Sequence, residues 1–161
     1  MALDKVISLE NAVIQIEDHI VLEQVDLSVE KGEFVYIIGR VGSGKTSLIK
    51  TINAELPLHE GKGKVSGFSL EQLKRKDIPL LRRKLGIVFQ DFKLLIDRTV
   101  DANLEFALKA TGWKNKAEIN DRIAEVLEKV DLAFKGNKMP HHLSGGEQQR
   151  DVKARALLKE P

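Results

Sequence analysis

With 161 residues the chain has room for one ordinary domain with a sizeable core and little room for a second. Hydrophobic residues at 42% and charged residues at 31% are ordinary for a globular protein, and a formal charge of +2 is too small to argue for a nucleic-acid partner. Cysteine is absent, which excludes disulfides and thiolate metal sites and permits a reducing, cytoplasmic setting. No apolar stretch approaches the roughly 20 residues of a membrane-spanning helix and the N-terminus lacks a signal-peptide pattern, so a soluble chain is expected.

In chain order, Val6 to Ile16 and Ile20 to Val29 show broken apolar–polar alternation around the polar turn Glu17-Asp18-His19, and are expected to form an antiparallel pair. Phe34-Val35-Tyr36-Ile37-Ile38 is a continuous apolar run, the pattern of a strand buried on both faces of a parallel sheet. It leads directly into Gly39-Arg40-Val41-Gly42-Ser43-Gly44-Lys45-Thr46, and an amphipathic segment, Ser47 to Ile52, follows. Strand, glycine-rich turn and helix in that order make a P-loop. The glycines allow φ > 0, and the backbone N–H groups of the turn and the helix start then face inward and cradle a polyphosphate. Lys45 supplies a point charge for the β- and γ-phosphates, and the Thr46 hydroxyl is placed to ligate Mg²⁺.

Beyond Pro57 to Gly63, which breaks the pattern, Lys64 to Gly67 allows a short strand, and Leu70 to Lys84 reads as basic helical turns interrupted by Pro79. Leu85-Gly86-Ile87-Val88-Phe89 is expected as a second core strand. The period then becomes helical, over Val100 to Lys109 and Lys116 to Val130. In the second of these Ile119, Ile123, Val126, Leu127 and Val130 share one face, and Asn115 with Glu118 supplies the N-cap and its partner.

Leu143-Ser144-Gly145-Gly146-Glu147-Gln148-Gln149-Arg150 opens a further helix. Ser144 with Glu147 three residues on is a capping box. The same serine and the two open glycines also form a second phosphate cradle at a helix start, and the P-loop upstream favours that use.

The three motifs together resemble the ATP-binding cassette (ABC) family, with GRVGSGKT as the Walker A loop, Gln90 as the Q-loop glutamine and LSGGEQQR as the signature. Within it, the run Leu81 to Val100 is similar to the cassettes associated with bacterial cell division. The resemblance implies an α/β P-loop fold with an antiparallel N-terminal β region and a helical insert. The expected divisions are a β-rich ATP-binding core over 1–90, a helical subdomain over 91–142 and the signature helix over 143–161. It also implies ATP and Mg²⁺ as cofactors, with Thr46 and Gln90 at the metal and Gln90 sensing the attacking water. Two cassettes would face head to tail as a homodimer, each ATP lying between one P-loop and the other subunit's Ser144, Gly145 and Gly146. The partner implied is a permease-type membrane protein, which would hold the cassette at the inner face of the plasma membrane. Residues about Phe92 to Val100 would either offer the apolar surface on which that partner docks or be core.

Three departures from the family pattern bear on chemistry. The sequence stops at Pro161, before the expected Walker B strand with its aspartate and glutamate and the switch histidine. Weak hydrolysis, unpaired backbone groups and exposed apolar faces are therefore expected. Gln15 stands thirty residues before Lys45, where the family places an adenine-stacking aromatic ring. Asp151 and Lys153 stand where the family usually has apolar residues, with Arg155 at i+4 as a partner for Asp151 on a solvated face. The adjacent His141 and His142 are not expected to bind metal, the basic cluster from Lys74 to Lys84 reads as a solvated face, and Trp113 as packing at the turn between the insert helices. A non-hydrolytic module that associates on binding ATP is the alternative from another class; a soluble cassette acting on nucleic acid or ribosomes would need a second cassette or long basic extensions.

Overall fold

The computed structural model describes residues 4–89 and 92–159, and the chain divides into two compact units, Met1–Arg82 and Arg83–Pro161. The first is built on a hairpin of two long strands, β1 (Lys5–Ile16) and β2 (His19–Glu30), paired antiparallel as the alternation predicts. The breaks in alternation are real bulges. Asn11 and Gln24 take φ of 46° and 54°, the register shifts between Leu9 and Ala12, and the Asn11 amide donates to Asp26 Oδ1 at 2.8 Å. These shifts let β1 keep Leu9, Ala12 and Ile14 all buried.

Helix α1 (Lys45–Ile52) follows the glycine-rich turn and packs against β1, burying Leu48, Thr51 and Ile52. Strand β3 (Glu60–Val65) pairs with β1 on the side away from β2, and the two-residue strand β4 (Phe68–Ser69) closes a four-stranded antiparallel sheet of order β2-β1-β3-β4. A Cβ at Gly63 would stand 2.9 Å from Leu70 and 3.1 Å from Leu9, so glycine there lets the side chains close over the sheet. Helix α2 (Ile78–Arg83) buries Leu81. Pro79 opens this helix instead of interrupting one, because an amide in the first turn has no intrahelical acceptor to lose. Arg82 anchors α2 by donating to Asn53 O and Ala54 O, both at 3.1 Å.

The two core strands expected at 34–38 and 85–89 are not formed: both runs are extended chain without ladder pairing. An apolar run becomes a strand only when a neighbour accepts its backbone groups, and the four strands of the sheet pair with one another instead. Phe34, Tyr36 and Ile38 stand 79%, 79% and 88% exposed. Phe34 and Tyr36 meet edge to face, ring centroids 4.8 Å apart.

The second unit is helical: α3 (Val100–Ala110), α4 (Lys116–Lys129), a 3₁₀ turn at Pro140–His142, and α5 (Gly145–Leu157). Its core joins Val100, Leu104 and Leu108 of α3 to Ile119, Ile123, Val126 and Leu127 of α4, with Val130, Leu132, Leu143, Ala154 and Leu158. This is the stripe that the 3.6-residue period marks in α4. Asn115 caps α4, its Oδ1 accepting from Ala117 N at 3.0 Å and Glu118 N at 3.5 Å while its Nδ2 donates to Glu118 Oε1. Thr99 caps α3 by accepting from Ala102 N. Asn103, buried in α3, holds the preceding segment: it accepts from Leu95 N and donates to the carbonyls of Leu95, Arg98 and Thr99. Val100 is wholly buried and Ile96 is 76% exposed, so the run 92–100 is divided between core and surface.

On α5, Lys153 is exposed but Asp151 is fully buried, and among the described residues neither carboxylate oxygen has a hydrogen-bond partner. The expected i,i+4 pair with Arg155 is not made, because the face is not solvated and the guanidinium is engaged elsewhere. Burial, opposed by nearby Arg155 and reinforced by Asp101, pushes the Asp151 carboxyl up from 3.8 to about 6. The folded state therefore holds this proton more tightly than the unfolded chain, so stability is highest at low pH and falls as pH rises from about 4 through about 6. Asp151→Asn is expected to raise the midpoint of urea unfolding at pH 7.5, by up to about 3 kcal/mol in stability, and to have little effect at pH 4. Unfolding curves at the two pH values check this.

Candidate nucleotide-binding site

The turn at 39–46 is shaped by glycines that no other residue replaces. Gly42 and Gly44 take φ of 81° and 87°, and a Cβ at Gly44 would also meet Leu22 Cγ at 2.7 Å. A Cβ at Gly39 would stand 2.7 Å from Ser43 Oγ. Ser43 N closes the turn on Arg40 O at 3.2 Å, while the side chains of Arg40 and Val41 are exposed on its outside. Helix α1 begins at Lys45 with Gly44 as its N-cap, and no side chain caps it. Its first amide groups therefore remain available, with the positive end of the helix dipole, for an anion.

Lys45 Nζ donates to Gly39 O and Arg40 O, each at 2.7 Å, and lies 3.5 Å from Ser43 Oγ. The ammonium is thus held across the turn by carbonyls at its start, beside the open helix N-terminus. Thr46, the next residue, is exposed. A polyphosphate fits these groups: an uncapped helix start, a glycine turn where a Cβ added at Gly42 would meet nothing within 4 Å, and a cation tethered to the loop. The Thr46 hydroxyl is a hard oxygen donor suited to Mg²⁺.

At residue 15, the position of the missing aromatic, Gln15 Nε2 donates to Glu17 O at 2.5 Å and the side chain closes its own hairpin turn. Gln90, the Q-loop glutamine of the sequence reading, lies outside the described residues. Phe89 before it is partly buried under Lys93, whose Nζ stands 4.2 Å from the ring centroid.

In the second unit Ser144 is the N-cap of α5, and the capping box is complete: Ser144 Oγ accepts from Glu147 N at 3.3 Å, and Glu147 Oε2 accepts from Ser144 N at 2.8 Å. The two uses of this motif are compatible in this geometry. Gly145 and Gly146 are exposed with nothing within 4 Å of an added Cβ, so no side chain crowds the helix start, and a hydroxyl that accepts from Glu147 N still has its proton to donate. Lys135 Nζ holds the other Glu147 oxygen at 3.3 Å. The Ser144 amide, with Lys135 next, keeps the Glu147 carboxyl below its ordinary range. Gln148 Nε2 ties the helix start back to Pro140 O and Leu143 O.

Two contributors escape a reading by motif. Lys135 lies in a loop without periodicity, and no sequence signal marks it. Arg155, read from its spacing as a partner for Asp151, donates instead to Lys93 O at 2.7 Å and Phe92 O at 2.9 Å. His141 and His142 pack edge to face at 4.2 Å, and among the described residues no group of three metal-ligating side chains occurs. No helix among the described residues is long and apolar enough to cross a membrane.

Residues 22–161 match the family model for ABC transporters. Over 140 residues, 87% of the chain, the sequence is 45% identical to the cell division ATP-binding protein FtsE of Streptococcus pneumoniae and 43% identical to that of Mycobacterium tuberculosis, covering 60% of each. The methionine import ATP-binding protein MetN 2 of Salmonella choleraesuis is 40% identical over the same length, with 41% of it covered. The chain thus spans about 60% of the length of the FtsE proteins it matches. Among solved structures, the dimeric bacterial ABC transporter cassette MJ0796 is similar with a TM-score of 0.84 and 33% identity, over 96% of this chain and 70% of that one. The same cassette in a post-hydrolysis state bound to ADP and Pi gives a TM-score of 0.84 at 32% identity over the same shares. With sequence and fold in agreement, the chain belongs to the ABC transporter family, as an α/β ATP-binding cassette with an antiparallel N-terminal β region and a helical insert.

Proposed function

We propose that the chain acts as the ATP-binding part of a membrane complex of the FtsE type, in which nucleotide state drives a permease-like partner. One observation carries this reading: the uncapped start of α1, with Lys45 held across the glycine turn, in a chain 45% identical to an FtsE. Gly39 to Thr46 would hold the phosphates of ATP through backbone amides and the Lys45 ammonium. Thr46 and Gln90 would hold Mg²⁺, which neutralises charge on the phosphate oxygens when bound.

In this reading two copies associate head to tail, and Ser144, Gly145 and Gly146 of one present a hydroxyl and two amides to the nucleotide held by the P-loop of the other. The dimeric relative supports such an arrangement. The complex would be an Mg-dependent ATPase in which Gln90 orients the attacking water. Its functional divisions would be the ATP-binding core over 1–90, the helical subdomain over 91–142 and the signature helix over 143–161. The partner would be an FtsX-like integral membrane permease, holding the cassette at the cytoplasmic face of the plasma membrane. A second reading, a cassette for solute import, is favoured by the 40% identity to MetN 2. Both share the nucleotide site and differ in the permease.

Removing the ammonium tests the shared step. Lys45→Ala is expected to weaken Mg-ATP binding by roughly 10- to 100-fold, the worth of a charge-assisted contact, with the fold intact by circular dichroism. Unchanged affinity in a calorimetric titration would remove the basis of the reading. Ser144→Ala is expected to cost about 1 kcal/mol of stability through the lost cap. It should also reduce ATP-dependent association measured by sedimentation, while leaving ATP affinity of the monomer unchanged.

A further inference from the structure

Arg155 joins two segments far apart in sequence. From the third turn of α5 its guanidinium reaches 62 and 63 residues back, to the carbonyls of Lys93 and Phe92. Both of those residues take left-handed conformations, φ 48° and 56°, which side chains with a Cβ disfavour. A planar fork donating to two successive carbonyls fixes the turn's orientation as a single point donor does not. One turn earlier on the same helix is Asp151, buried and without a hydrogen-bond partner among the described residues, although Arg155 lies near enough to act on its charge. The helix thus offers one guanidinium and two claims on it.

We infer that Arg155 is a positioning residue that binds the Phe92–Lys93 turn to the signature helix, and that Asp151 is the rival acceptor able to draw the guanidinium off that turn. With the fork on the carbonyls, the helix that starts at Ser144 and the turn that follows residues 90 and 91 are one mechanical piece. With the fork on Asp151 they are not. The other charged groups about Asp151 do not settle the competition: Asp101 of α3 adds negative charge, and Arg122 of α4 is committed to Glu125 Oε2 and Leu157 O. Protonation of Asp151 removes its claim, so the clamp tightens below about pH 6 and loosens above it. The consequence for nucleotide handling, that the Q-loop side and the signature respond together, rests on the cassette reading proposed above.

Hydrogen–deuterium exchange of the whole chain tests the clamp without nucleotide. Arg155→Lys keeps the charge and loses the fork, and is expected to speed exchange of peptides spanning 92–98 by about tenfold, with α4 and the first turn of α5 within twofold of the parent. Protection of 92–98, corrected for intrinsic exchange, should be greater at pH 5 than at pH 7.5, and Asp151→Asn should hold it at the pH 5 level throughout. An Arg155→Lys variant within twofold of the parent at 92–98, exchange raised evenly over α3 to α5, or a pH dependence that survives Asp151→Asn would each overturn the inference. Mg-ATP supplies the separate arm. Protection at 39–48 accompanied by a change at 92–98 that Arg155→Lys abolishes supports the coupling, and protection at 39–48 alone in the parent contradicts it. No protection at 39–48 counts against the nucleotide reading, while the clamp stands or falls on the first comparison.

Discussion

The first amide groups of a helix have no acceptor within the helix, and what each helix of this chain does with them separates structure from binding. Helix α3 spends them on Thr99 and on the loop that follows α4, with Val100 N donating to Lys138 O and Asp101 N to Gly136 O. Helix α4 spends them on Asn115. Helix α5 satisfies one with Ser144 and has exposed glycines, Gly145 and Gly146, at its first positions, and α1 begins on a glycine with no side chain to offer. Among α1, α3, α4 and α5, the two starts with exposed glycines or a glycine N-cap are the two that the family's motifs occupy. At the first of these a lysine is tethered beside the helix start.

Buried polarity in the helical unit is largely, not wholly, paired. Asn103 is buried and uses both ends of its amide, which fixes the segment 95–99 against α3. Gly136 is glycine because a Cβ there would overlap the Asp101 carboxylate. Asp151 is the carboxyl left over among the described residues: neither oxygen is paired and ionisation costs stability. An apolar residue would serve packing better, so the position has a cost that only its nearness to Arg155 gives a use.

Much of this was legible in the residues. Val6 to Ile16 and Ile20 to Val29 announced a hairpin through alternation, and the α4 stripe and the Asn115 and Ser144 caps could be placed because caps and periodicity are local signals. Runs 34–38 and 85–89 were misread as formed strands because pairing is not local: FVYII and LGIVF carry the right side chains, but a ladder depends on a neighbour that the run itself does not encode. Pro79 reads as a break in the sequence, since a proline in a helix start and one in a helix interior look alike until the start is known. Of the site, the glycine turn and Lys45 were readable from spacing alone. The direction of Arg155 was not: spacing gives Asp151 as its neighbour, while the carbonyls of 92 and 93 become available only once the chain folds back across α5.

The central claim is that the open start of α1 and the Lys45 ammonium bind a polyphosphate, and do so without an aromatic ring at residue 15 to hold the base. Competition calorimetry measures this directly, with Mg-ATP, inorganic triphosphate and adenosine titrated separately into the chain. One site for Mg-ATP, displaced by triphosphate and indifferent to adenosine, is the result expected. Adenosine binding as tightly as ATP, or ATP binding that triphosphate does not displace, would contradict it.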